Sequence, residues 1–394
     1  MKRKGFFALS LILFVAGVFM PFLLHAGGTI TYIERFDERS KPIAWAQQTK
    51  EGYKLEVKGQ GYTIARTGEM DGTVFTTLDF PVDLNKDFQM ESSVTFLNGA
   101  ENLGYGIVWG ATRDARSLYY FIIDAQGCYG YGKRVNGEEE RTVEWTESPF
   151  IEKGGTNLLH IRKTGNKIDF YINGQPLMSV PFGASFGKFT GLCMAHGLAV
   201  RFNNFLITGT TDIVPDNLSV AIDGNINGEF VWKNVKNHRD FSAKMFNNGS
   251  IVANRVFNGD SVAVRTRISV PDESAGSSCG VYLQTDEGAL LKIERGRTPK
   301  GPVARFSVFG QGKDLGSKEL PLPAKEFTFK FTRNKDTFKG EVEAEGKMVE
   351  VGSLNWPKLS TRQWVGISCF RPAEGGDKTK PVEYGFTDFY IGTP

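Results

Sequence analysis

NLLHIRKTGNKIDFYINGQPLMSVPFGASFGKFTGLCMAHGLAVRFNNFLITG, residues 157–209, is the stretch from which the fold can be read. Leu159 and Ile161 alternate with His160 and Arg162, and Gly165-Asn166 then turns the chain. Ile168, Phe170 and Ile172 alternate with Asp169 and Tyr171, and Asn173-Gly174 turns it again. Strand side chains point to opposite faces with a period of two, so this alternation marks strands with one buried face. Asn-Gly between two such runs predicts a tight hairpin, because both residues tolerate positive φ. The stretch predicts a β-meander followed by two closing strands.

Working outward, the same pattern recurs. Thr29–Phe36 reads as an opening strand, and Tyr53, Leu55 and Val57 alternate with Lys54, Glu56 and Lys58. Strands are expected at 74–80, 88–96, 105–110, 117–124 and 127–133, with no run of helical periodicity between them. The 46 Gly and 31 Phe suit many short strands and tight turns. An all-β, two-sheet antiparallel sandwich follows for about residues 28–209.

Residues 1–26 carry a basic head, Lys2-Arg3-Lys4, then an apolar run to Leu24 and the small residue Ala26. This is the pattern of a secretory signal. The run is also about long enough to cross a bilayer, so an uncleaved anchor is the alternative, and Pro21 favours cleavage. Either way the remainder is expected outside the cytoplasm: periplasmic, extracellular or on the cell surface. The chain has 47 Lys+Arg and 44 Asp+Glu. Without the basic head the two signs balance. The basic footprint that nucleic acid or anionic lipid demands is absent, so membrane contact is expected only through an uncleaved N-terminus.

Residues 210–217 read as a polar linker with Pro215, and residues 218–394 repeat the first plan. GYGIVWG (104–110) matches CGVYLQ from Cys279. LLKIE (290–294) sits where SLYYFIID sits. Phe327, Phe329 and Phe331 with the Asn334-Lys335-Asp336 turn reproduce the meander. FTGLCMAHG beside WVGISCFRP places Cys193 and Cys369 in register, and VRFNNFLITG beside YGFTDFYIGT aligns the last strands. A period near 180 residues is far longer than a solenoid repeat and predicts two like-folded domains.

The run through Tyr120, Gly127, Trp145, Asn157, Asn173-Gly174, Gly187, Gly191-Leu192 and Arg201-Phe202-Asn203-Asn204-Phe205 resembles bacterial concanavalin A-like jelly rolls. The 3-keto-disaccharide hydrolase-type domains are the nearest subgroup, with laminin-G-like modules and family 16 glycoside hydrolases related in fold. The second half resembles the same superfamily more loosely. Its opening IDGNINGEFVW looks a little like the start of some sugar-binding modules. The resemblance implies two tandem jelly-roll sandwiches. It covers turn and strand markers, so it speaks to fold more than activity.

The sequence offers little catalytic chemistry. Family 16 enzymes place Glu-x-Asp-x-(x-)Glu on one strand, and retaining hydrolysis needs two carboxyls about 5–5.5 Å apart. Glu341-Val-Glu343-Ala-Glu345 is the similar run, and its alternation with Phe338, Val342 and Ala344 turns the glutamates outward. His160 reads as an outward meander residue and His196 as a turn residue. His160, His196 and His238 lack partners at metal-ligand spacing, and no Gly-x-Ser-x-Gly elbow occurs. No cofactor is expected. Asp223, Asn225 and Asn227 have the spacing of the start of a calcium loop, without the bidentate Glu at its twelfth position, so calcium is a weak candidate. Cys128, Cys193, Cys279 and Cys369 fall two per domain. They permit Cys128–Cys193 and Cys279–Cys369 disulfides or buried free thiols.

Binding has the better signal. Trp109, Tyr119, Tyr120, Tyr129, Tyr131 and Trp145 fall on consecutive expected strands of the first half, with Asp124, Lys133 and Arg134 beside them. Sugar C–H faces pack on such rings while hydroxyls pair with the polar groups. The competing reading places about half of the rings in the core, with Tyr119 and Tyr120 on opposite faces. Arg295, Arg297 and Arg305 offer an acidic-glycan site in the second half. The expected function is a non-catalytic protein that binds carbohydrate or another surface ligand. The alternatives are a glycan or 3-keto-glycoside hydrolase and an adhesive protein-binding module. Oligomeric state is not legible in the sequence.

Overall fold

The computed structural model describes residues 28–394 apart from 38–44, 51, 68–71, 213, 215–217, 224–228, 233–238, 246–248, 271–276, 311–312 and 373–380. The segment expected to direct export, part of the expected linker, His238, Asn225 and Asn227 lie outside the described residues. Every regular element among the described residues is a strand.

In the first half these are β1 (Gly28–Glu34), β2 (Gln48–Lys50), β3 (Tyr53–Val57), β4 (Tyr62–Arg66), β5 (Thr73–Asp79), β6 (Phe88–Gly99), β7 (Tyr105–Ala111) and β8 (Leu118–Ile123). There follow β9 (Cys128–Val135), β10 (Glu138–Glu147), β11 (Thr156–Thr164), β12 (Lys167–Ile172), β13 (Gln175–Pro181), β14 (Phe189–Ala195), β15 (Leu198–Phe202) and β16 (Phe205–Thr211). The second half has β17 (Ser219–Asp223), β18 (Glu229–Trp232), β19 (Phe241–Met245), β20 (Gly249–Asn258), β21 (Ser261–Ser269), β22 (Ser278–Thr285) and β23 (Leu290–Thr298). It closes with β24 (Gly301–Gly310), β25 (Lys313–Pro321), β26 (Glu326–Asn334), β27 (Thr337–Ala344), β28 (Lys347–Asn355), β29 (Arg362–Arg371) and β30 (Val382–Gly392).

The meander forms as its alternation predicts. Leu159, Ile161, Phe170 and Ile172 are fully buried. Asn173 (φ 52) and Gly174 (φ 77) both take positive φ between β12 and β13, the geometry that matches strand twist in a two-residue hairpin. The closing FNNF segment also has a physical role. Phe202 and Phe205 are buried, while the Asn204 side-chain carbonyl accepts the Ser93 N–H at 2.7 Å. That bond bridges the break where β15 ends and β16 begins along β6.

Two sandwiches result. In the first, the six-stranded sheet β10-β9-β8-β7-β14-β5 packs on the part of a larger sheet that contains β6, β11, β12 and β16. In the second, the seven-stranded sheet β18-β19-β30-β21-β26-β27-β28 packs on β20-β29-β22-β23-β24-β25. The larger sheet is shared. β1 pairs antiparallel with β16 and parallel with β17, and β17 pairs with β20, giving 17 strands in one sheet. Ile30 and Tyr32 are opposite Val220 and Ile222, all buried. Parallel partners share a face, so both smaller sheets back the same side of the long one. Arg35 seals this joint with two hydrogen bonds of 2.7 Å to the Asp223 carboxylate.

The duplication extends to strand order: β10-β9-β8-β7-β14-β5 corresponds to β25-β24-β23-β22-β29-β20. Gly191 faces Val108 and Gly366 faces Tyr282 at matching places. A Cβ there would lie 2.1 Å from the Thr76 carbonyl oxygen or 2.0 Å from that of Ala253, so both strands need glycine for close approach. Alignment on these glycines corrects the expected cysteine register by one residue. Cys193 faces Gly106 and lies outside the main core, whereas Cys369 faces Cys279 within it. A one-residue slip reverses the face of a strand side chain.

Candidate functional site

Three of the rings expected to line a groove are core. Trp109 is 1% exposed and stacks between Tyr119, at 5.7 Å, and Tyr131, at 6.1 Å, over Phe170. Tyr119 donates to the Ala184 carbonyl at 3.3 Å and closes one end of this stack against Phe186. Tyr129 packs on the same inner side. These rings fill the first sandwich because the two sheets must be spaced by about 10 Å of side chain.

The outward side of the six-stranded sheet is a different surface. Registers place Gly132, Tyr120, Val108, Gly191 and Thr77 in one row across five strands. Gly130, Ile122, Gly106, Cys193 and Phe75 form the next row. Val108, Leu118, Tyr120 and Cys193 make a small apolar cluster of their own. Trp145 lies against Gly104, Gly130 and Ile122, with the Arg141 guanidinium 5.3 Å above its ring. Arg134 stands over Phe75 at 5.6 Å and Arg113 over Phe189 at 5.7 Å. Arg134 and Trp145, expected in the site, are thus on this face.

The Tyr120 hydroxyl and Arg141 are neighbours, Arg141 bonding the phenol oxygen, and the guanidinium also donates to Glu144 at 3.4 Å. Burial pushes the Tyr120 phenol above its ordinary value, with Arg141 beside it acting in the opposite sense, so the hydroxyl keeps its proton at neutral pH. The phenol hydrogen and the further N–H groups of the guanidinium are donors of the kind that meet a ligand's oxygens. Arg141 was not among the expected residues. The alternation around Val143 is broken by a β-bulge, which hid its face.

Other expected residues are accounted for. Asp124 caps a turn by accepting the Cys128 N–H at 2.8 Å, and Lys133 pairs with Glu140 at 3.1 Å. His196 is a turn residue whose Nε2 lies 3.3 Å from the Gly52 carbonyl oxygen. His160 is pushed down to about 4 by burial and then by Arg162, so it is neutral at physiological pH. Val342 is buried between half-exposed Glu341 and Glu343, as the alternation predicts. Arg295 is buried on the inner side over Phe327, at 5.4 Å, rather than offered to a glycan. Both oxygens of Asp223 are engaged by Arg35.

All four cysteines are free. Cys128 on β9 and Cys193 on β14 are separated by β8 and β7, roughly 14 Å at ordinary strand spacing, which overturns the Cys128–Cys193 pairing. Cys279 and Cys369 are direct cross-strand partners, and burial raises both thiols.

The second sandwich carries the matching outward face. Ser307, Lys292, Tyr282, Gly366 and Asn254 form the row equivalent to that of Tyr120. Arg305, Glu294, Gly280, Ser368 and Val252 form the next. None of Tyr282, Asn254, Lys292 or Glu294 was singled out from sequence. The GYGIVWG/CGVYLQ match could have found Tyr282, because it already put Tyr282 opposite Val108.

No known family model matches the chain, and no curated protein is similar to it in sequence. Among solved structures, it is similar to a Saccharomyces cerevisiae protein of unknown function, at 14% identity over 42% of this chain and 96% of that one, with a TM-score of 0.35. It is similar to the carbohydrate-binding module CBM66 from Bacillus subtilis, at 19% identity over 47% and 99%, with a TM-score of 0.28. Domains LG4-5 of the mouse laminin alpha1 chain match at 10% identity over 80% and 85%, with a TM-score of 0.25.

Proposed function

We propose that the chain is an exported, non-catalytic carbohydrate-binding protein, and that Tyr120, Arg141, Trp145 and Arg134 take the ligand on the outward face of the first sandwich. The observation that supports this reading is the grouping of the Tyr120 hydroxyl, the Arg141 guanidinium and the Trp145 ring on one outward face. The Trp145 ring meets sugar C–H groups, and the phenol and guanidinium donors meet ring or hydroxyl oxygens. Glu144 is held by Arg141 and Glu139 lies beside Tyr120; retaining hydrolysis needs two carboxyls flanking the bond, and product analysis reads whether any sugar is cleaved. Export follows from the pattern of residues 1–26.

The test is a glycan-array screen of residues 27–394 with product analysis of each bound sugar. Tyr120→Phe and Arg141→Gln are each expected to weaken binding about 10-fold, equivalent to about 1.4 kcal/mol, with no released sugar. Cleaved product would overturn the non-catalytic reading. Binding unchanged in both variants would move the ligand off this face.

A further inference from the structure

The duplication supplies an internal control for what this fold requires at each position. In the first sandwich the two outward rows are glycine and largely apolar: Tyr120, Ile122, Val108, Gly132 and Thr77 stand at five matched places. In the second sandwich the same places hold Lys292, Glu294, Tyr282, Ser307 and Asn254. The same strand plan thus accommodates either set. Burying an ion pair and an amide is costly and stabilises little relative to apolar residues of similar volume. Stability therefore does not account for the polar set.

The polar set is also ordered as a recognition surface. Lys292 Nζ donates to Glu294 at 2.9 Å and lies 5.5 Å from the Phe309 ring centre. Asn254 Nδ2 donates to the Tyr282 hydroxyl at 2.6 Å, which leaves the tyrosine's own hydrogen to be given away. Burial raises the Tyr282 phenol, so that hydrogen stays in place at neutral pH. Arg305 pairs with Glu319 at 2.6 Å. In the row beside Lys292 and Tyr282, registers place Phe309, Leu290, Gln284 and Trp364 in line. A half-buried ring therefore stands at each end, Trp364 carrying Arg362 at 5.4 Å. Lys292, Arg305, Phe309 and Trp364 are the accessible margin, and Glu294, Tyr282 and Asn254 lie one layer below.

From this arrangement we infer that the outward face of β20-β29-β22-β23-β24 is a second binding site, for a neutral polyhydroxylated ligand such as an uncharged oligosaccharide. Vicinal hydroxyls both donate and accept, and at the accessible margin they meet the Lys292 ammonium, the Arg305 guanidinium and the Gln284 amide, with Lys292 held in place by the buried Glu294. The charges are matched within the site, Lys292 with Glu294 and Arg305 with Glu319, so a polyanion finds no surplus of cations. Phe309 and Trp364 supply flat apolar faces for sugar C–H groups. Two sites on one chain would also let one molecule hold two segments of a polysaccharide, with the avidity that linkage brings.

The inference stands independently of the first face, and the test separates them. The full exported chain is titrated calorimetrically with neutral hexasaccharides of glucose, mannose, galactose and xylose, at ligand concentrations to about 1 mM. Binding to at least one hexamer is expected to persist in the Tyr120→Phe/Arg141→Gln double variant. It is expected to fall at least about 10-fold in Glu294→Gln and in Tyr282→Phe. Trp364→Ala, on the margin, gives the same loss without touching the buried network, so a folding defect in the first two does not decide the outcome. Binding that vanishes in the first-face variant and is unmoved by Glu294→Gln, Tyr282→Phe and Trp364→Ala overturns the second site. So does the absence of binding to all four hexamers.

Discussion

Trp109→Ala will destabilise the first sandwich by about 3–5 kcal/mol. The indole is 1% exposed and sits between Tyr119 and Tyr131, so truncation opens a cavity rather than clearing a surface. Its Nε1 has no hydrogen-bond partner, so the loss is packing alone. For a sandwich of this size the change corresponds to a fall of roughly 10 °C or more in melting temperature. Denaturant unfolding of wild type and variant measures it. A change below about 1 kcal/mol, the range of ordinary surface substitutions, would return Trp109 to the list of surface rings.

Glu34→Gln is expected to stabilise the protein at alkaline pH and leave it unchanged in acid. Glu34 is 1% exposed, and desolvation moves its pKa from 4.5 to about 7, against the backbone N–H groups of Phe36 and Arg35. A carboxyl raised in the folded state binds more protons there than in the unfolded chain between those two values. The Glu34 contribution to stability is therefore greatest below pH 4.5, declines as pH rises towards 7, and levels off above it. The gap corresponds to about 3 kcal/mol. Glutamine keeps the carbonyl oxygen that accepts the Phe36 N–H at 2.8 Å and carries no charge. The urea midpoint of the variant should match that of wild type at pH 4 and exceed it at pH 8, the opposite pH dependence of buried His160 being common to both proteins. Parallel pH profiles for the two proteins would show that Glu34 is ionised and solvated in the fold.

These expectations depend on different levels of the molecule. Strands and turns of the meander are legible because alternation and Asn-Gly are local signals: Leu159, Ile161, Phe170 and Ile172 point inward for the reason their spacing gives. The duplication is legible too, since matched turns and glycines recur along the chain. Local signals stop at the strand. Alternation puts Tyr119 and Tyr120 on opposite faces, but it does not say which face meets the second sheet. That is settled by the packing of Trp109 and Tyr131 against Phe170, on a strand of the other sheet, with Tyr119 stacked on Trp109.

The cysteine register shows the same limit. Matching segments by eye tolerates a shift of one residue, while a pleated strand turns that shift into a change of face. The joint between the sandwiches, β1 laid between β16 and β17, joins residues nearly 200 apart in sequence, and neither strand's own pattern names its partner. So the sequence by itself determined the all-β class, the repeated plan and the positions of its turns, because these follow from the backbone preferences of neighbouring residues. The tertiary structure alone decided which aromatic residues are core, which way Cys193 and Cys369 point, and that Lys292, Glu294, Tyr282 and Asn254 share one face. Those facts are set by which strands become neighbours, and strand pairing is a long-range choice made by burial of the whole core.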